Sequence, residues 1–288
     1  TLTLTTLLLH ESGEWMLRPP ASMPLQAQTA HGYGSAISYL RRYTTQAALK
    51  VGPSTMDFRG MEVPEIGPDA ALLKVEVAGV CGTDVSQYRL PLRGSPIIMG
   101  HENVGYIASA GKQFMARKGV QEGDLVFLEH YLPCGNCEWD HMGEYRHCTA
   151  TDWFYDDHAI RYGYTSIETA PALWGGFSQY LYLAPNAIIH KVPDGVTPEE
   201  AGTATPMANG VQWALFEGGV TYSSIVLIQG PGQQGMCCII ASKHAGADCI
   251  IVTGTSKDGT RLEVAKAMGA DYVININDEE PLERIMEI

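Results

Sequence analysis

The 288-residue sequence contains no uninterrupted apolar run of the ~18 residues that a bilayer-spanning helix requires, and its mean hydropathy is −0.06, so no membrane partner is expected. Positive charge is scarce too. Nineteen Lys and Arg stand against 32 Asp and Glu, giving a net charge of −13, and no long basic run is present to follow a phosphate backbone. Nucleic acid is therefore not an expected partner. Seven cysteines are too few for a disulfide scaffold in a chain of this length, and their odd number rules out complete internal pairing. A reducing, cytoplasmic setting is the default expectation. What the chain does have is 45% hydrophobic and 18% charged residues, enough apolar material for one large or two ordinary domains.

Residues 1–45 differ from the rest, with a threonine- and leucine-only start followed by Pro19, Pro20 and Pro24, and read as an appended, poorly ordered arm. Residues 46–195 carry short alternating runs such as Leu73-Lys74-Val75-Glu76-Val77, separated by Gly- and Pro-containing turns, which predicts a small barrel or sandwich. From residue 196 the period changes. Thr197-Pro198-Glu199-Glu200 is a helix start, and Ile225-Val226-Leu227-Ile228, the run 249–253 and Tyr272-Val273-Ile274 alternate with helical stretches. That β-α-β-α-β pattern is the first half of a doubly wound nucleotide-binding domain.

Chemistry-bearing residues fall in three groups. Gly230-Pro231-Gly232-Gln233-Gln234-Gly235 lies between a strand and a helix, where its glycines permit a tight turn and let a pyrophosphate approach backbone N–H groups. At the end of the second strand, where an NAD enzyme places a carboxylate, stand Gly254, Thr255, Ser256 and Lys257. Two hydroxyls and an ammonium there favour the 2′-phosphate of NADP over NAD. Cys134, Cys137 and Cys148, with Asp140, have the spacing of a closed zinc site within residues 131–150; His141 and His147 are chemically acceptable substitutes for the fourth ligand. Cys81 and the His101-Glu102 pair are too far apart for spacing alone to join them.

Taken together, Gly79-Val80-Cys81-Gly82-Thr83-Asp84, Gly100-His101-Glu102-Asn103-Val104-Gly105, Glu122-Gly123-Asp124-Leu125-Val126, the cysteine lobe and the glycine motif resemble the medium-chain zinc-dependent alcohol dehydrogenase family. The resemblance implies a GroES-like β-barrel catalytic domain followed by a Rossmann domain, an α/β plus β architecture. It further implies that Cys81 and His101 hold a catalytic zinc, with Glu102 ligating it or sitting behind it. Thr83 matches the hydroxyl that passes the substrate proton, Asp84 matches the carboxylate that orients the histidine, and Asn209 falls on the cofactor side. The implied substrate is a small alcohol or carbonyl compound, and a homo-oligomer is compatible with the family.

Three positions depart from the family pattern. Thr205 stands where many members supply a further zinc ligand, Ser86 where some place a proton-relaying histidine, and Asp140 where the third lobe cysteine belongs. Competing readings are a zinc-free enone or quinone reductase, which the Cys81, His101 and lobe signals oppose, and a non-catalytic nucleotide- or zinc-binding remnant. A chain that binds NADPH yet oxidises no alcohol would favour the remnant. Residues 196–288 cover only the first half of a doubly wound domain, so the expectation is a C-terminally truncated, weakly active dehydrogenase with an open sheet edge.

Overall fold

The computed structural model describes residues 44–91, 94–152 and 159–288, together with four three-residue strands near the N-terminus. Those strands pair antiparallel, β1 (Leu2–Leu4) with β4 (Ala21–Met23) and β2 (Leu7–Leu9) with β3 (Trp15–Leu17). The expected arm was residues 1–45; Thr44 and Thr45 belong to the strand Thr44–Gly52, and the rest of residues 1–43 lies outside the described residues.

The chain divides into two compact units, residues 1–202 and 203–288. In the first, β5 (Thr44–Gly52), β6 (Thr55–Glu62) and β8 (Ile97–Ile98) form a three-stranded sheet in the order β6-β5-β8. A five-stranded antiparallel sheet runs β11-β7-β9-β10-β12. Its strands are β7 (Ala71–Gly79), β9 (Glu102–Ala110), β10 (Leu125–Leu128), β11 (Tyr180–Leu183) and β12 (Ile189–Lys191). The barrel expected from the sequence is thus realised as two sheets; no closed barrel forms among the described residues. Alternation decides the faces: Val126 and Leu128 of β10, and Leu181 and Leu183 of β11, point to one core with Leu73, Ile107 and Phe114. A second core of Leu49, Leu72, Ile98 and Leu173 joins residues of both sheets.

The helix Pro198–Ala201 opens on a capping box, in which Thr197 Oγ1 accepts from Glu200 N–H at 3.2 Å and Glu200 Oε2 accepts from Thr197 N–H at 2.8 Å. Sequence periodicity placed this helix at the head of the nucleotide domain, but Ala201 packs with Val104 and Val192 of the first unit. The unit boundary accordingly follows Gly202 rather than residue 195.

The second unit holds a parallel sheet in the order β13-β14-β15, formed by Ile225–Gln229, Cys249–Gly254 and Tyr272–Asn275. Helices Gln233–His244 and Gly259–Met268 connect successive strands. Ile228, Ile239, Ile250, Val252, Leu262 and Ala265 make its core, which is why the central strand is apolar on both faces.

Candidate functional site

Strand register brings Cys81 and His101 together. Gly79, at the end of β7, pairs with Glu102, at the start of β9, so the residue two beyond Gly79 meets the residue just before Glu102. Gly79 leaves room for this pairing, since a Cβ there would lie 2.5 Å from Glu102 Oε2. The turn before β9 depends on Gly100, whose φ is +89° and whose missing Cβ would strike the Phe177 ring at 2.6 Å. One ligand atom each from Cys81, His101 and Glu102 then lies within 4.8 Å of the others. His101 is 5% exposed and Glu102 2%, a burial that needs compensation for a charged pair.

Asp84 ties the two chain segments together. Cys81 caps the helix Gly82–Arg89, and its N–H donates to Asp84 Oδ2 at 2.9 Å. The other oxygen, Oδ1, lies 3.3 Å from His101 Nδ1. Thr83, two residues on and exposed, has its hydroxyl 3.7 Å from Cys81 Sγ. His101 lowers the pKa of the Cys81 thiol, against burial, which raises it. Burial works against the imidazolium in turn, but Asp84 and Cys81 together raise His101 to about 10. A soft sulfur, an imidazole and a carboxylate converging at one partly buried point fit a zinc ion.

The lobe forms the second cluster, with Cys134, Cys137, Asp140 and Cys148 offering donors within 4.8 Å of one another. His141 and His147 are exposed and do not join it. Each sulfur faces a backbone N–H: Asn136 N to Cys134 Sγ at 3.4 Å, Asp140 N to Cys137 Sγ at 3.5 Å, and Cys134 N to Cys148 Sγ at 3.3 Å. Asp140 Oδ2 accepts from Gly135 N–H at 2.7 Å and faces Cys134 Sγ at 3.1 Å, while Oδ1 is buried without a hydrogen-bond partner. Thiolate-supporting N–H groups and one unspent carboxylate oxygen fit a tetrahedral metal. Burial raises the Asp140 carboxyl, but the Cys134, Gly135, Cys137 and Cys148 donors outweigh it and leave its pKa below the usual carboxylate range.

The glycine motif adopts the geometry its spacing predicts. Gly230 has φ +98° directly after β13, and Gly232 caps the helix that follows. A Cβ on Gly235 would sit 2.1 Å from Gly230 O, so the third glycine sets how closely turn and helix pack. Gly210, next to Asn209, plays a similar part, because a Cβ there would lie 2.7 Å from Cys237 Cβ. At the end of β14, both hydroxyls counted for the 2′-phosphate are already engaged. Thr255 Oγ1 donates to Asp258 Oδ2 at 2.7 Å, and Ser256 Oγ accepts from Asn275 Nδ2 at 3.1 Å. Asp258 thus brings a carboxylate to this corner, facing Arg261 at 3.5 Å, while Lys257 stays exposed.

Among the aromatic residues, Tyr162 and Trp174 belong to the core and Tyr88 donates to Ser54 O at 2.7 Å; Trp153 and Tyr155 lie outside the described residues. Two others border the His101 imidazole and carried no sequence signal: Tyr164, whose hydroxyl lies 3.3 Å from His101 Nδ1, and His130, whose ring centroid is 5.4 Å from that of His101. Burial, then the charges of His101 and Arg161, push His130 down to about 3.

The model of the alcohol dehydrogenase GroES-like domain matches residues 67–194. A probable alcohol dehydrogenase of Mycobacterium tuberculosis is 35% identical over 244 residues, covering 84% of this chain and 65% of that protein. The chain belongs to the medium-chain zinc-type alcohol dehydrogenase family. Within this family a sorbitol dehydrogenase of Bombyx mori is 31% identical over 251 residues, with 84% of this chain and 66% of the relative covered. An alcohol dehydrogenase of Thermotoga maritima superposes with a TM-score of 0.71 at 25% identity, covering 85% of this chain and 67% of the other. The chain thus spans about two thirds of the length of its dehydrogenase relatives. A second model, the ERF superfamily, matches residues 1–58, most of which lie outside the described residues.

Proposed function

We propose that the chain carries the metal-binding part and half of the coenzyme-binding part of an oxidoreductase that interconverts an alcohol with an aldehyde or ketone, using NAD(P). The observation that carries this reading is the convergence of Cys81, His101 and Glu102, with the Thr83 hydroxyl beside Cys81. Zinc bound by those three groups supplies Lewis-acid polarisation of the substrate oxygen, and the nicotinamide supplies the hydride acceptor or donor. Thr83 is placed to accept the proton of an alcohol substrate and pass it outward, since its side chain is exposed while Cys81 is half-buried. Asp84 keeps His101 oriented through Nδ1 and keeps Cys81 in place through its backbone N–H. Cys134, Cys137, Asp140 and Cys148 hold a second, structural zinc that closes the lobe.

For the coenzyme, Gly230, Gly232, Gln233, Gln234 and Gly235 receive the pyrophosphate at the helix N-terminus. With the Thr255 and Ser256 hydroxyls engaged, the lean to NADP rests on Lys257: the Asp258 charge is turned to Thr255 and Arg261, which leaves the Lys257 ammonium for a 2′-phosphate. Titration with both coenzymes checks this lean, and equal or tighter binding of NAD(H) ends it. The activity itself is tested on Cys81→Ala. Purified wild type should contain two zinc ions per chain and the variant one, with turnover of alcohols lost and nucleotide binding kept. Retained turnover in the variant would refute a metal-centred reaction.

A further inference from the structure

We propose that Tyr164 is a positioning residue for the metal-binding imidazole: its phenol oxygen and the Asp84 carboxylate together hold His101 Nδ1, leaving the other ring nitrogen, Nε2, for the metal. The inference rests on the reading of Cys81, His101 and Glu102 as a metal site. Both oxygens lie 3.3 Å from Nδ1, a phenol within hydrogen-bond reach and a carboxylate as ionic partner, sharing the approach to one ring nitrogen. Such sharing fixes the tautomer and the plane of the ring at once, which a single acceptor leaves free to swing. Two rings complete the cradle. Tyr164 tilts 32° against the imidazole at 5.2 Å, and His130 meets it edge-on, at 64° and 5.4 Å.

The loop that carries Tyr164 is built to deliver it. Gly163 has φ +83°, and a Cβ there would come within 2.9 Å of Gly100 O and 3.0 Å of His101 Cβ, so glycine is what allows the loop to reach the histidine turn. On either side the backbone is pinned: Tyr162 N–H donates to His130 O at 3.0 Å, Gly163 N–H to Trp174 O at 2.6 Å, and Arg161 N–H to Thr165 Oγ1 at 2.8 Å. Arg161 also anchors the loop to the lobe. Its guanidinium lies 3.3 Å from Asp152 and 4.8 Å over the Tyr131 ring, while Asp152 N–H donates to Cys148 O at 2.8 Å. A phenol at position 164 therefore arrives at Nδ1 on a rigid support, and the packing alone would be served equally by phenylalanine.

Tyr164→Phe removes the oxygen and keeps the ring. Zinc affinity is read by chelator competition and ligand geometry by the absorption of the cobalt(II)-substituted protein, with Cys81→Ser identifying which metal equivalent belongs to this site. The expected result is an affinity at the Cys81 site lower by about 10-fold, at the low end of the ~10–100-fold typical for such partners, with a shifted cobalt spectrum and an unchanged lobe site. Unchanged affinity and spectrum in Tyr164→Phe, with one equivalent lost in Cys81→Ser, overturns the positioning role alone. Two equivalents retained in Cys81→Ser overturns the metal site itself. If the Phe variant fails to fold, wild-type NMR decides: a nuclear Overhauser contact between the His101 Nδ1 proton and the Tyr164 ring supports the role, and its absence overturns it.

Discussion

At the scale of single residues, paired charges outside the site set how stability depends on pH. His190 donates to Glu129 at 2.7 Å across a partly exposed edge, and that contact raises its pKa, against burial, which lowers it. A group raised on folding contributes fully below its unfolded value of about 6.5 and loses its contribution as pH climbs through the folded value. His190 is 55% exposed, so the effect is small. The melting temperature of wild type should exceed that of His190→Gln below about pH 6.5 and converge with it in alkaline buffer; a constant gap across that range would rule out the linkage. Individual residues also show where sequence reading runs out. The lobe and the glycine motif were legible because their ligands are neighbours in the chain. Cys81 and His101 needed strand register to meet, and spacing does not encode register. Tyr164 comes from a loop more than sixty positions after His101, and nothing in its local pattern separates it from the buried Tyr162 two residues earlier.

At the scale of elements, the nucleotide turn is the tightest fit in the second unit. Gly235→Ala would place a methyl group 2.1 Å from Gly230 O, so the turn or the helix must shift. Overpacking of this kind costs about 1–3 kcal/mol, which translates to coenzyme binding weaker by roughly 5- to 150-fold if the shift falls on the phosphate-binding N–H groups. Fluorescence titration with NADPH measures it, and wild-type affinity in the variant would show that the close approach is not needed for binding. The strand and helix pattern of this unit was readable because each parallel strand is a short apolar run and the two helices that connect the strands are flanked by glycine. The first unit was less so. Antiparallel strands with bulges, such as the register shifts between β7 and β9, keep their alternation but hide which sheet they join, and the expected barrel or sandwich takes the form of two sheets.

At the scale of the whole molecule, apolar surface is unevenly distributed. Ile225 and Leu227 of β13 are 76% and 45% exposed, and with Trp213 they line a cavity of about 410 Å³ along a strand edge that has no partner among the described residues. An open edge with apolar side chains invites pairing with other chains. Leu227→Lys should therefore reduce self-association in sedimentation experiments and lower the binding of an apolar dye, and an unchanged profile would show that the edge is covered in solution. The division after Gly202 has a different kind of consequence. Both candidate metal clusters are drawn entirely from residues before it, and the glycine turn and the Thr255–Lys257 corner entirely from residues after it. The two candidate sites are thus encoded in separate, uninterrupted stretches of the chain, one on each side of a single junction.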